Sequence, residues 1–455
     1  MERNIPEERR NGMKHRTDKT KNPLKKYVLT NCVILDGSEN MTPVTGMAVV
    51  VEDEKIREIV PESSEKIVYY PWVDLGGAYL LPGLINLHAH LAISGKPPKS
   101  DKQINYKKLF RLLSGSRIVK TVFRKSNAGY AKTALNSGVT TVRAVGGLWD
   151  LDAQNRDNIQ AGKQDGPRIL CANTAVSVPG GHFAGSIATE AASPEEAVQH
   201  VRMIAATKPD LIKLMITGGV MDSSETGEPG VLRMPPEIVK AACDEAHRLG
   251  YKVAAHVEST EGVKVALENG VDTIEHGAKP TAEILRLFKE RGAADICTLS
   301  PAIPYARFTL EESKANETGK TNGAIVLDGI IQCAKDCLEN GIPVGLGNDV
   351  GCPFVTHYNF WRELVYFHDL IGVSNKFALY TATSGNAKIA GIDQITGSIS
   401  PGKSADMIVV KENPLEDLKA LRHIRTVIMK GRIYENPVIE PIKGVDELLD
   451  KYMDA

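Results

Sequence analysis

No apolar run in the 455 residues approaches the roughly 18–20 that a membrane-spanning helix requires, so no membrane partner is expected. A secretory signal is also missing. Residues 1–26 carry nine Lys/Arg and four Asp/Glu with no apolar stretch, and read as a flexible basic tail. Neither sign of charge is in excess: 55 Lys+Arg against 56 Asp+Glu leave a net charge of −1. That balance argues against a polyanion-binding surface, and no nucleic-acid partner is expected. The seven cysteines (Cys32, Cys171, Cys243, Cys297, Cys333, Cys337, Cys352) are odd in number and scattered, without a CxxC pair. This usage fits a reducing cytoplasm rather than a disulfide framework. Cys333 and Cys337, at i and i+4, read as packed small hydrophobes. No strand candidate is followed by a convincing GxGxxG turn, and no Ser, Cys or Thr nucleophile stands out.

What is present is a repeated rhythm. From Tyr27, short β-rich pieces (KYVLTNCVILDG, MAVVVEDEKIREIV, KIVYYPWVDLGGAYLLPG) are punctuated by Asp-Gly and Gly-Gly. Similar pieces return near the end, in ITGSISPGKSADMIVV and IRTVIMKGRIYE. Two or three strands seldom stand alone, so residues 27–80 and 395–440 are expected to pair into one small β-sandwich domain. Residues 81–394 would be inserted between them, with 441–455 left as a C-terminal segment.

That middle alternates helices and strands. AKTALNSGVTTVRAV, VKVALENGVDTIEH and AKDCLENGIPVGLGND each end an apolar-periodic helix at a glycine (Gly138, Gly270, Gly341) and run into a β-branched strand. In SPEEAVQHV, Ser193 caps, Pro194 takes the first helical position and Glu196 is expected to close a capping box. Eight strand candidates lie near 83–88, 139–144, 167–171, 211–216, 252–256, 272–276, 294–299 and 343–348. Alternation implies parallel strands buried on both faces. Eight of them predict an α/β fold, a (β/α)8 TIM barrel. An open doubly wound sheet is the alternative, disfavoured by the missing glycine-rich turn.

In such a barrel the chemistry sits at the C-terminal ends of the strands. The first strand ends LINLHAH, and the period of two turns His88 and His90 to one side, where one cation could take both imidazoles. The fourth, LIKLMITGG, embeds Lys213 among apolar residues, a costly place for an ammonium. The fifth ends at His256, the sixth at His276, and the eighth runs into Asp349. Four of the eleven histidines thus fall at strand ends that must converge, which predicts a metal site. His15, His200, His247 and His423 fall in the tail, on helix surfaces or in the β-domain and carry no role. His182, in the Gly-rich VPGGHFAG loop, and His357, in VTHYNF, follow strand ends and are candidates for substrate contact.

The phrases LLPGLINLHAHL, GVTTVRAVGG, IKLMITGGV, VAAHV, GVDTIEHG, GLGNDVG and GSISPGKSADMIVV together resemble the metal-dependent amidohydrolase superfamily. The resemblance is to its imidazolonepropionase-like and prolidase (Xaa-Pro dipeptidase)-like branch, and covers about residues 27–435. It implies two divalent metal ions, zinc first. His88 and His90 match ligands of the first ion, and His256 and His276 those of the second. Lys213 matches a lysine that carries CO2 as a bridging carbamate. Asp349 matches a carboxylate that binds the first ion and shuttles the proton, the catalytic role. Burial would lower the lysine pKa and expose a neutral amine to CO2. The family habit also implies a homo-oligomer and a small-molecule substrate.

Three departures bear on the substrate. Ala144 follows Arg143 where relatives often have Asp. His256 is followed by Val257 and Glu258, making the pocket wall more acidic. GVLRMPPEI offers Arg233, a candidate clamp for a substrate carboxylate, where prolidase-like members carry Tyr. The basic loop after the first strand (Lys96, Lys99, Lys102, Lys107, Lys108, Arg111) mildly favours an anion, although a solvated helix face explains it as well. The leading expectation is a two-metal hydrolase of an amide bond in a dipeptide or N-acyl amino acid. The alternatives are a one-metal deaminase or cyclic-amide hydrolase, and a non-catalytic scaffold relative.

Overall fold

β-branched runs from the two ends of the chain meet in one sheet, seen in a computed structural model that describes residues 25–98, 116–220, 222–223 and 225–453. Most of the predicted basic tail lies outside the described residues, as do Lys99, Lys102, Lys107, Lys108 and Arg111. The N-terminal strands are β1 (Lys26–Ile34), β2 (Met47–Glu52), β3 (Lys55–Pro61) and β4 (Trp72–Pro82). Ten strands follow in the middle: β5 (Leu84–Ala89), β6 (Val139–Ala144), β7 (Arg168–Cys171), β8 (Ala175–Ser177), β9 (Ala188–Glu190), β10 (Leu211–Met215), β11 (Lys252–Val257), β12 (Thr273–His276), β13 (Ala294–Cys297) and β14 (Val344–Leu346). The last three are β15 (Met407–Val410), β16 (Ile424–Met429) and β17 (Arg432–Glu435).

The end strands are ordered β17-β16-β15-β4-β1-β2-β3. The 11-residue β4 joins the two sets, parallel to β1 and antiparallel to β15. The expected sandwich of two sheets is therefore one hydrogen-bonded sheet. It curls, because Lys55, in the β2–β3 hairpin, bridges to Ser404 just before β15. Leu29, Val49, Val51, Leu80, Met407 and Ile428 from its strands share one apolar cluster inside the curl.

The eight predicted inner strands are all present as parallel strands, in a seven-stranded sheet β14-β13-β12-β11-β10-β8-β9 and a three-stranded sheet β5-β6-β7. This is a TIM-barrel-like α/β domain beside a separate, mostly β one. Backbone bonds link the two parallel sheets: Asp349 N–H donates to His88 at 3.0 Å, His90 N–H to Val350 at 2.8 Å and Asp210 N–H to Cys171 at 2.7 Å. Strands β5, β6, β10, β12, β13 and β14 are buried at every position, as the uninterrupted apolar runs require. Helices such as Pro194–Ala205 and Pro236–Arg248 lay Ala197, Val201, Ala242 and Ala246 on that core. Ser193 caps its helix as expected, but Glu196 accepts from Ala192 N–H instead of closing the box on Ser193.

β8 and β9 were not anticipated; they flank the loop carrying His182. The C-terminal segment forms a helix, Val445–Lys451. Its Val445 and Leu449 pack on Phe308 and Phe354, bracing two loops beside the open end of the strands. All seven cysteines are free thiols, and Cys333 and Cys337 are fully buried. No helix among the described residues is long and apolar enough to cross a membrane.

Candidate metal centre

The six side chains predicted from strand ends come together. His88, His90, Lys213, His256, His276 and Asp349 all line one cavity of about 640 Å³, open solvent at its mouth included. Parallel pairing sets this convergence. Lys213 is opposite Ala254 and Met215 opposite His256 across β10 and β11, and Val257 is opposite His276 across β11 and β12. Two of the six have left-handed backbones, His276 at φ 73° and Asp349 at φ 52°. Non-glycine residues are uncommon in that region, and strained conformations of this kind collect where function demands a particular side-chain aim.

Each of the four imidazoles has one nitrogen engaged by the protein. His90 Nδ1 lies 2.7 Å from the Gly146 carbonyl and His256 Nε2 lies 3.1 Å from the Gly218 carbonyl. A carbonyl only accepts, so these nitrogens carry the protons. His88 Nδ1 donates to Glu275 at 2.8 Å, and His276 Nδ1 pairs with the Thr298 hydroxyl at 2.7 Å. Glu275 is itself gripped by Arg143, at 2.8 and 3.0 Å. Burial pushes the Glu275 carboxyl up, but Arg143 and the His88 N–H outweigh it and hold the carboxyl well below the usual range. Burial keeps His88, His256 and His276 neutral, His88 with a pKa down at about 4.

The cavity-facing nitrogens of His88 and His90 stand opposite a carboxylate. Asp349 Oδ1 stands 3.4 Å from His88 Nε2 and 3.2 Å from His90 Nε2, and has no assigned hydrogen bond among the described residues. Two imidazole nitrogens and a carboxylate oxygen converging on one point form a donor set that divalent metals take. Cys352 donates its S–H to Asp349 Oδ2 at 3.2 Å, leaving Oδ1 for the cavity. His88, His276 and Asp349 offer ligand atoms all within 4.8 Å of one another, and so do His256, Glu258 and His276.

Lys213 is 1 % exposed, and its Nζ has no hydrogen-bond partner among the described residues. Burial brings its pKa down to about 8, so a neutral amine is within reach near neutral pH. An orphaned amine facing this cavity fits a carbamate, whose oxygens would add an anion beside Asp349.

The substrate-contact candidates divide. His182 lines the cavity, stacked on His256 at 4.1 Å between centroids, with Asp222 holding its Nδ1. Arg233 does not line it. Its side chain is exposed, and its Nε lies behind Gly218, 3.8 Å from where a Cβ would stand. His357 is not brought there either. Its ring stacks on Tyr130 at 4.4 Å and its Nε2 pairs with the Ile93 carbonyl at 2.7 Å. Arg143, Glu275, Asp222 and Cys352 were not anticipated as parts of the site. For Arg143 and Glu275 a signal existed, since each is a charge inside an apolar strand, as Lys213 is.

The profile of the Amidohydrolase family matches residues 79–434, and the chain belongs to that family. Its relatives act as hydrolases on amide and other carbon–nitrogen bonds, and so does this class of enzyme. The chain is 26% identical over 391 residues to the ochratoxinase of Aspergillus niger, covering 80% of this chain and 77% of that protein. Among solved structures, a putative prolidase from Bifidobacterium longum superimposes with a TM-score of 0.83 at 33% identity, covering 95% of this chain and all of that one. A Xaa-Pro dipeptidase with methionine bound in its active site gives 0.78 at 28% identity, over 90% of this chain and 100% of that one.

Proposed function

We propose that the chain is a hydrolase of a peptide-like amide bond that works with two divalent ions, zinc first, on a dipeptide or an N-acyl amino acid. One observation carries this reading: the buried Nζ of Lys213, unpartnered among the described residues, faces the same cavity as His256, His276 and Asp349. His88, His90 and Asp349 would hold one ion, His256 and His276 the other, and the Lys213 carbamate would serve both. Bound there, divalent cations polarise the scissile carbonyl and make water acidic enough to ionise near neutral pH.

The chain's own groups do the rest. Asp349 takes a proton on a carboxylate oxygen and delivers it to the leaving nitrogen. Glu275 and the Gly146 and Gly218 carbonyls hold three imidazoles in the tautomer that leaves their other nitrogen to the cavity. Pro301, Tyr305, Val326 and Ile330 form an apolar wall against which a substrate side chain can exclude water. The likeness to a Xaa-Pro dipeptidase supports a dipeptide, and His182 is the substrate-contact candidate that the cavity retains.

The test is reconstitution of wild type and Lys213→Ala with Zn2+ and bicarbonate, followed by metal analysis and turnover on dipeptides and N-acyl amino acids. Wild type should bind two equivalents and turn over; Lys213→Ala should lose about one equivalent and at least a hundredfold in kcat. Full turnover by Lys213→Ala would defeat the two-ion reading and leave a one-metal deaminase or cyclic-amide hydrolase.

A further inference from the structure

We propose that Glu258 is a direct ligand of the second cation, beside His256 and His276, and so a seventh protein group of the centre. This rests on the two-ion reading above and goes beyond the six side chains read from the strand ends.

Position comes first. Glu258 is two residues beyond His256, so the alternation of an extended chain brings both side chains to the same side of the sheet. One carboxylate oxygen of Glu258, one nitrogen of His256 and one of His276 lie within 4.8 Å of one another. All three residues line the cavity.

Charge comes second. The Glu258 carboxylate accepts a single hydrogen bond among the described residues, from Val220 N–H at 3.2 Å. Among the described residues no Lys, Arg or His pairs with it as a salt bridge, whereas the other acidic group beneath the site, Glu275, has Arg143. A half-buried carboxylate with one N–H donor is under-compensated, and a cation in the cavity is the nearest remedy. Two divalent ions bring four positive charges; Asp349 and a Lys213 carbamate offset two of them. Glu258 supplies a third anion on the side of the second ion.

Space comes third. Gly219 stands against this group. A Cβ there would sit 3.4 Å from Glu258 Oε2, 3.4 Å from His256 Cε1 and 3.2 Å from His182 Cε1. With no side chain at 219, the carboxylate and the imidazole keep a common open face.

The experiment uses Zn2+ alone as probe. Metal-free wild type, Glu258→Gln and Glu258→Asp are titrated with bicarbonate present, in competition with a chromophoric chelator, and thermal unfolding of each metal-free protein checks the fold. Wild type should take two equivalents. In Glu258→Gln the first should bind as in wild type and the second at least tenfold more weakly, with Glu258→Asp between. Equal second-site affinities in wild type and the Gln variant would overturn the assignment and leave the two-ion reading standing. A single equivalent in wild type would overturn both. Should the Gln variant fail to fold, the Asp variant decides: a second-site affinity equal to wild type overturns the proposal. Loss of binding for amine-bearing substrates without any change in Zn2+ affinity would also overturn it, making Glu258 a substrate contact.

Discussion

Nδ1 of His88 stands 2.8 Å from Oε2 of Glu275, in a pair where both side chains are essentially excluded from solvent. The relationship crosses the domain, from β5 to β12, and extends through Arg143, whose Nε donates to the Leu87 carbonyl at 2.7 Å. A carboxylate that fixes an imidazole tautomer is what a metal-binding histidine needs behind it.

Replacing that carboxylate should therefore cost metal before it costs fold. Glu275→Gln still hydrogen-bonds, but can present its amide N–H to His88 and leaves Arg143 with a neutral partner. Metal affinity should fall by about 10–100-fold. Equilibrium titration with Zn2+ checks this; an unchanged first-site affinity would show that the Glu275 charge does not position His88.

Gly347 tests the junction between the last and first inner strands. A Cβ there would fall 2.5 Å from the His88 backbone nitrogen and 2.4 Å from His88 Cβ, in space that backbone cannot vacate. Gly347→Ala should force β14 away from β5, destabilising the protein by about 1–3 kcal/mol and displacing His88. Denaturant unfolding and metal content of the purified variant should fall together. A variant as stable as wild type would mean that the strands yield at little cost.

Asp349 sets function against stability. Its Oδ1 faces two imidazole nitrogens at 3.2 and 3.4 Å without an assigned hydrogen bond among the described residues. Asn at that position can point its amide N–H at the free nitrogen of neutral His88. Metal-free Asp349→Asn should be more stable than metal-free wild type by about 1 kcal/mol, while kcat falls by at least about a hundredfold. Such trade-offs are usual where a site is built for a ligand. Urea unfolding of both metal-free proteins and steady-state kinetics of both reconstituted ones separate the two effects.

The centre was legible because its parts obey the strand period. His88 and His90 alternate correctly, Lys213 is a charge in an apolar run, and His256, His276 and Asp349 each end or follow a strand. The inner strands were legible as short apolar runs, three of them entered through a helix-ending glycine (Gly138, Gly270, Gly341). What escaped is decided in three dimensions. Whether a loop histidine turns toward the cavity depends on how its loop folds back, so His182 and His357 looked alike in sequence and ended in different places. Arg233 lies on the far side of Gly218, a placement set by the loop's path that no side-chain pattern reveals. The curl of the end sheet follows from a bridge between Lys55 and Ser404, residues with no local signal for pairing.

His357 gives a pH test away from the ligands. Its imidazole is buried against Tyr130, and burial, more than its bond to Ile93, sets its pKa, which falls to about 4 from the usual 6.5. The unfolded chain therefore binds a proton here between pH 6.5 and 4 that the folded chain refuses. Stability must fall as pH drops through that window, by at most about 1.4 kcal/mol per pH unit from this group. His357→Gln keeps an N–H for the Ile93 carbonyl but cannot take a proton. At pH 7 it should be less stable than wild type, by about 1–2 kcal/mol, for the lost ring stacking. The difference should shrink toward pH 4, measured by urea unfolding of the metal-free proteins, and KM at neutral pH should be unchanged. A raised KM with unaltered acid sensitivity would return His357 to the substrate pocket.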